Sequence, residues 1–135
     1  DSKPTKILSQ VKTAPTGVDE QAGLLLMNDE GQMASVMLSL HSKQPKRGMI
    51  SCEKGYIEIL EYPRAWEATI TDAETGKTEV IKAGENADAL AYELADMERA
   101  INGDTACMHL EYTKDVMELM TAFRKEWGLK YPEEE

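Results

Sequence analysis

The chain has 135 residues, 41% of them hydrophobic, which suits one soluble globular domain rather than a disordered segment. No apolar run approaches the roughly 18 residues of a membrane-spanning helix, and Asp1-Ser2-Lys3-Pro4 lacks the apolar region of a secretory signal, so a cytoplasmic location is expected. The net charge of −10 is concentrated beyond residue 54, where eight Lys/Arg stand against nineteen Asp/Glu; such a surface repels phosphate backbones and disfavours nucleic acid as a partner.

The first two thirds of the chain read as strands. Thr5 to Thr13 alternates, with Ile7 and Val11 on one side and Leu8 and Gln10 on the other. Ala14-Pro15-Thr16-Gly17 makes a turn, and Asp19 to Asn28 is a second strand through Leu24, Leu25, Leu26 and Met27. Asn28-Asp29-Glu30-Gly31 closes a hairpin to a third strand, Gln32 to His41, where Met33, Ser35, Met37 and Ser39 oppose Ala34, Val36, Leu38 and Leu40. A polar connection, Ser42 to Lys46, leads to two more hairpins. Arg47–Cys52 turns through Glu53-Lys54-Gly55 to Tyr56–Leu60, and Trp66–Thr71 turns through Ala73-Glu74-Thr75-Gly76 to Lys77–Lys82. Short turns between neighbours imply antiparallel pairing.

The period then changes to that of helices. From Asn86 to Asn102, Leu90, Leu94, Met97 and Ile101 form an apolar stripe, and Gly103 is a natural stop. From Glu111 to Trp127, Val116, Met120, Phe123 and Trp127 repeat the pattern before Gly128. Tyr131-Pro132 and three glutamates form a frayed end. The expected fold is α+β: a mostly antiparallel open sheet of about seven strands, with two C-terminal helices packed on one face. The other face carries Met, Leu, Ser and His and needs a cover, which a second copy or a second domain supplies.

Complete catalytic constellations are missing. No GxSxG, HExxH, GxGxxG or P-loop is present. Cys52 and Cys107 are 55 residues apart with no histidine at ligand spacing, so a metal site is not expected; two reduced thiols are the plain reading, with one disulfide between them as the alternative. His41 ends the third strand beside the connection holding Gln44, Lys46 and Arg47; it reads as a solvated loop histidine or as a ligand contact. His109 reads as a local cap or surface residue. Glu93, Asp96, Glu98 and Arg99 read as a solvated helix face. Tyr92 lies about 200° of helical turn from Leu90 and off the apolar stripe, so it faces solvent, a neighbouring domain or a ligand. Trp66 and Trp127 read as core or interface anchors, and Met33, Met37 and Met49 as sheet packing or adaptable interface.

Several ordered segments carry a resemblance. They are Thr16-Gly17-Val18-Asp19-Glu20, the apolar strand to Gly31, the hairpin from Ile50 to Ile59, Tyr92-Glu93, the helix ending Ala100-Ile101-Asn102-Gly103, and Trp127-Gly128-Leu129-Lys130-Tyr131-Pro132. Together they resemble the C-terminal domain of the glucose–fructose oxidoreductase, inositol dehydrogenase and MocA family, nearest its dihydrodiol and xylose dehydrogenase branch. The resemblance covers nearly the whole chain, though no single segment is specific. It implies that residues 1–135 are a substrate and oligomerisation domain, with the N-terminal Rossmann domain that binds NAD or NADP lying outside this chain. It also implies a sugar, cyclitol or diol substrate and self-association through the open sheet face. The family's catalytic Glu-Lys-Pro and Asp-x-x-x-His are not in this sequence, since Met37 and Thr105 stand four residues before the two histidines. No catalytic, cofactor-binding or metal residue is therefore expected here, and hydride transfer is not expected of this chain alone. By similarity, His41, Gln44, Lys46 and Tyr92 would hydrogen-bond substrate hydroxyls. Two other readings stand beside this one: a non-catalytic module that dimerises through its sheet, and a family member whose nicotinamide assists another reaction such as glycoside cleavage.

Overall fold

The computed structural model describes residues 3–131; the signal reading at the N-terminus rests partly, and the frayed end at 132–135 wholly, on residues outside these. The α+β expectation holds in class, though the strands form two sheets instead of the one open sheet expected, with one helix in each unit. Seven antiparallel strands and two helices run in the expected order, with the strands divided between a three-stranded and a four-stranded sheet. The chain forms two compact units, residues 1–43 with 109–135, and residues 44–108.

The first unit is a meander of β1 (Lys6–Thr13), β2 (Asp19–Met27) and β3 (Met33–Ser39), with the long helix α2 (Leu110–Glu126). Two-residue alternation sorts the side chains onto two faces. Opposed pairs Ile7 with Leu26, Ser9 with Leu24 and Val11 with Ala22 share one face, while Leu8 with Leu25 and Gly23 with Met37 share the other. The bend at Lys12/Thr13 shifts the register at the strand end. Asn28, 4% exposed, closes the second hairpin: its backbone N–H donates to the Gln32 carbonyl at 3.1 Å, and its side-chain amide exchanges two 2.8 Å bonds with Gln32. A buried amide satisfied in this way pins the turn instead of weakening it.

The α2 stripe differs from the expected one. Phe123 is buried and Trp127 half-buried, their rings stacked at 5.8 Å, but Val116 and Met120 are exposed. The half-buried apolar positions of the helix are instead Leu119 and Ala122 beside Phe123. The C-terminal end of α2 is tied to β1 by polar bonds: the Trp127 indole N–H donates to the Ser9 hydroxyl at 2.8 Å, and that hydroxyl donates to Glu126 at 2.9 Å. Near the other end of the helix, Lys3 pairs with Glu118, and with Asp115 at 2.9 Å.

The second unit is a meander of β4 (Arg47–Cys52), β5 (Gly55–Leu60), β6 (Glu67–Asp72) and β7 (Thr78–Lys82), followed by helix α1 (Ala89–Ile101). The pairs Ile50 with Ile57 and Ile57 with Ile70 line one face; Arg47–Glu58 and Lys82–Glu67 ion pairs lie on the other. Asp72 organises the β6–β7 turn: its carboxylate accepts from the Thr75 hydroxyl and N–H at 2.7 Å and from the Glu74 N–H at 3.1 Å. These bonds hold its pKa below the ordinary range, the Thr75 hydroxyl first among them. The α1 stripe of Leu90, Leu94, Met97 and Ile101 exists as read, but all four residues are exposed. At its C-terminal end Arg99 bridges Asp96 at 3.0 Å and Asp104 at 2.6 Å.

Candidate functional site

The second unit holds a cleft of about 590 Å³ whose walls come from three short segments. The β5–β6 connection supplies Tyr62, Arg64 and Trp66; the β7–α1 connection supplies Gly84 and Glu85; the N-terminal part of α1 supplies Tyr92 and Glu93.

Each wall has a local cause. Pro63 cannot continue a ladder and sets its own φ, so Tyr62–Arg64 winds into a single 3₁₀ turn. Glu61, which precedes it, is held in the left-handed region at φ 52°, a conformation that costs a non-glycine residue about 1 kcal/mol or more. It is fixed there by its N–H donating to the Lys46 carbonyl at 2.7 Å and by its own carbonyl accepting from the Arg64 N–H at 2.9 Å. Trp66 leaves the turn with its carbonyl accepting from Ala83 at 2.9 Å, which joins the two connections. Gly84 has φ +72°, and a Cβ there would lie 3.4 Å from the Tyr92 ring. Glycine thus permits the turn, and the tyrosine ring lies beside it at ordinary van der Waals distance. The Tyr92 hydroxyl accepts from the Glu85 N–H at 2.9 Å, so its own proton remains available to donate.

The cleft is therefore a braced aromatic site. Tyr62, Trp66 and Tyr92 are 54%, 43% and 47% exposed, and the Lys82 ammonium sits 4.7 Å from the Trp66 ring centroid. Among the described residues Arg64, Glu85 and Glu93 make no ion pair. The arrangement offers rings, one guanidinium and two carboxylates, a set suited to binding and orienting a ligand.

Of the four residues singled out in the sequence, Tyr92 lines this cleft. Gln44 and Lys46 are exposed on the segment leading into β4 and do not line it; the Lys46 carbonyl braces Glu61. His41 belongs to the first unit, is exposed, and adds a smaller pull to the Glu20 carboxylate, whose pKa is lowered chiefly by a hydrogen bond from Lys12. Trp66 and Glu93, read as an anchor and as a solvated helix face, are cleft residues. Tyr62 and Arg64 were not singled out; the aromatic–Pro–basic string Tyr62-Pro63-Arg64-Ala65-Trp66 between two strands was their signal. His109 takes the left-handed backbone before α2 and stacks on Tyr112 at 5.5 Å, without capping the helix through its side chain.

A second surface lies in the first unit. The sheet face bearing Leu8, Leu25, Met33 and Met37 is open, these residues being 68%, 39%, 59% and 59% exposed. A shallow groove of about 670 Å³ runs over Leu8, Gln10, Gly23, Leu25 and Met37. This face carries Lys6 and Lys12, Lys12 pairs with Glu20, and the groove is also lined by Glu126.

All strand pairs are antiparallel, and in the second unit the strand-to-helix connection after β7 presents Glu85 and Asp88 with the Tyr92 ring over Gly84, which repels and obstructs a pyrophosphate. No group of three or more His, Cys, Asp or Glu among the described residues could hold a metal ion, and no helix is long and apolar enough to cross a membrane. Comparison with family models and with curated proteins finds no match for this chain.

Proposed function

We propose that this chain is the substrate-side and assembly domain of an NAD(P)-dependent oxidoreductase acting on a sugar, cyclitol or diol, with the dinucleotide held by a Rossmann domain outside it. The ordered segments that resemble the glucose–fructose oxidoreductase, inositol dehydrogenase and MocA family support the enzymatic part. The open face of β1–β3 supports the assembly part: Leu8, Leu25, Met33 and Met37 expose on it an apolar surface of the kind that a second copy covers. The free thiols of Cys52 and Cys107 suit a reducing, cytoplasmic setting. The same open face also suits the second reading, a non-catalytic module that dimerises through its sheet.

Two experiments test these readings. Sedimentation at tens of micromolar is expected to show a dimer or larger species, and Met37→Glu or Leu8→Glu is expected to return a monomer. A monomeric wild-type chain overturns the assembly role. The coding sequence upstream of Asp1 is expected to encode a GxGxxG fingerprint and the Glu-Lys-Pro and Asp-x-x-x-His motifs. The protein including it is expected to reduce NAD or NADP with a polyol. Its lack of any dinucleotide fingerprint rejects the oxidoreductase in favour of the dimerisation module.

A further inference from the structure

We infer that the exposed stripe of α1 is a pairing seam for a helix of another protein, one that carries lysine or arginine beside its own apolar stripe. The inference stands apart from the proposed function, whose sheet face lies in the first unit and whose chemistry makes no use of this stripe.

The seam is regular. Leu90, Leu94, Met97 and Ile101 follow one another at the d, a, d and a positions of a heptad. At about 100° per residue they fall within about 60° of one another, and they are 65%, 66%, 53% and 78% exposed. An amphipathic helix ordinarily buries such a stripe against its own fold; α1 presents it to solvent.

The flanks say what fits. Glu93 and Glu98 occupy g and e positions and border the seam on opposite sides, with Ala91 and Ala100 at the other e and g positions. Among the described residues neither glutamate makes an ion pair. Arg99 lies about 170° from the seam, where it bridges Asp96 at 3.0 Å and Asp104 at 2.6 Å. Over residues 85–104, six carboxylates stand against that one guanidinium. The small alanines leave room for long basic side chains to lie along the edges of the seam.

A second copy of α1 is a poor occupant. Paired in parallel, Glu93 of one copy meets Glu98 of the other; paired antiparallel with the seams in register, each glutamate meets an alanine. Either way two acidic surfaces come together with no cation between them. A helix with Lys or Arg at its e and g positions meets both glutamates with opposite charge in either orientation.

The probe is a labelled three-heptad synthetic helix with Ile at a, Leu at d and Lys at every e and g position; its counterpart carries Glu at those positions. By fluorescence anisotropy at low ionic strength, the chain is expected to bind the Lys helix saturably and the Glu helix not at all, with binding falling as NaCl is raised. Leu94→Glu is expected to weaken binding at least about tenfold, as loss of a central apolar anchor does. That variant is more acidic than the wild type, so mere attraction between opposite charges would strengthen instead. The double variant Glu93→Lys with Glu98→Lys is expected to reverse the preference toward the Glu helix. Circular dichroism confirms that the variants fold. No binding of the Lys helix, equal or tighter binding by Leu94→Glu, or a double variant that keeps the wild-type preference overturns the inference. Self-association that Leu94→Glu abolishes gives the seam to a second copy. Lys-helix binding that is lost in the protein including the sequence upstream of Asp1 gives it to that sequence. Either result also overturns the inference.

Discussion

Gly55 opens β5 opposite Asp72, where the strands approach so closely that a Cβ would lie 2.1 Å from the Thr71 carbonyl oxygen, 3.1 Å from its carbon and 3.3 Å from the Asp72 Cα. All three are backbone atoms of β6, so no rotamer change relieves the contact. Gly55→Ala must push the β4–β5 turn away from β6. Overpacking of this kind costs about 1–3 kcal/mol, and each ladder hydrogen bond lost adds about 1 kcal/mol. The expected destabilisation is about 3–4 kcal/mol, and for a unit of this size the melting temperature should fall by more than about 10 °C. Gly48, in the neighbouring strand β4, is the control: nothing lies within 4 Å of its Cβ position, so Gly48→Ala should stay within about 1 kcal/mol of wild type. Thermal and urea unfolding followed by circular dichroism measures both. A Gly55→Ala protein as stable as Gly48→Ala would refute the close approach of β5 to β6.

Two further outcomes follow from the first unit and from the turns. Glu20, Asp72 and Glu118 have pKa values lowered on folding, chiefly by hydrogen bonds from Lys12, the Thr75 hydroxyl and Lys3. Lowered carboxylates stabilise the fold above their unfolded pKa and lose that contribution as pH falls through the folded one. The urea midpoint should therefore decline on acidification below the ordinary carboxylate range, and Asp72→Ala should flatten part of that decline; a midpoint that rises on acidification contradicts this. Ser9→Ala removes the acceptor of the Trp127 indole N–H and the donor to Glu126. It should cost about 1–2 kcal/mol in unfolding experiments, and an unchanged urea midpoint would show that the bond does not tie α2 to β1.

Alternation and turn chemistry made the strands legible in the sequence. β4, Arg47–Cys52, has the bounds read from the chain, and the other strands differ from their reading by one or two residues at an end. These are local properties: a Gly–Asn–Asp turn and a two-residue period act within a few positions of the chain. Helix existence was equally local, and Tyr92 was placed off the apolar stripe by spacing alone. Which side of each helix is covered was not. Val116 and Met120 satisfy the same period as Phe123, yet they are exposed, because coverage depends on residues distant in sequence such as Ser9. The cleft was hidden for the same reason. Tyr62, Trp66 and Tyr92 belong to different segments, joined by the Ala83–Trp66 backbone bond and the Glu85–Tyr92 bond. The sequence by itself determined the elements, their order and their antiparallel pairing, since these follow from short-range propensity. Only tertiary structure decided that three scattered aromatic residues share one cleft and which positions of α2 are covered, since both depend on contacts between residues far apart along the chain.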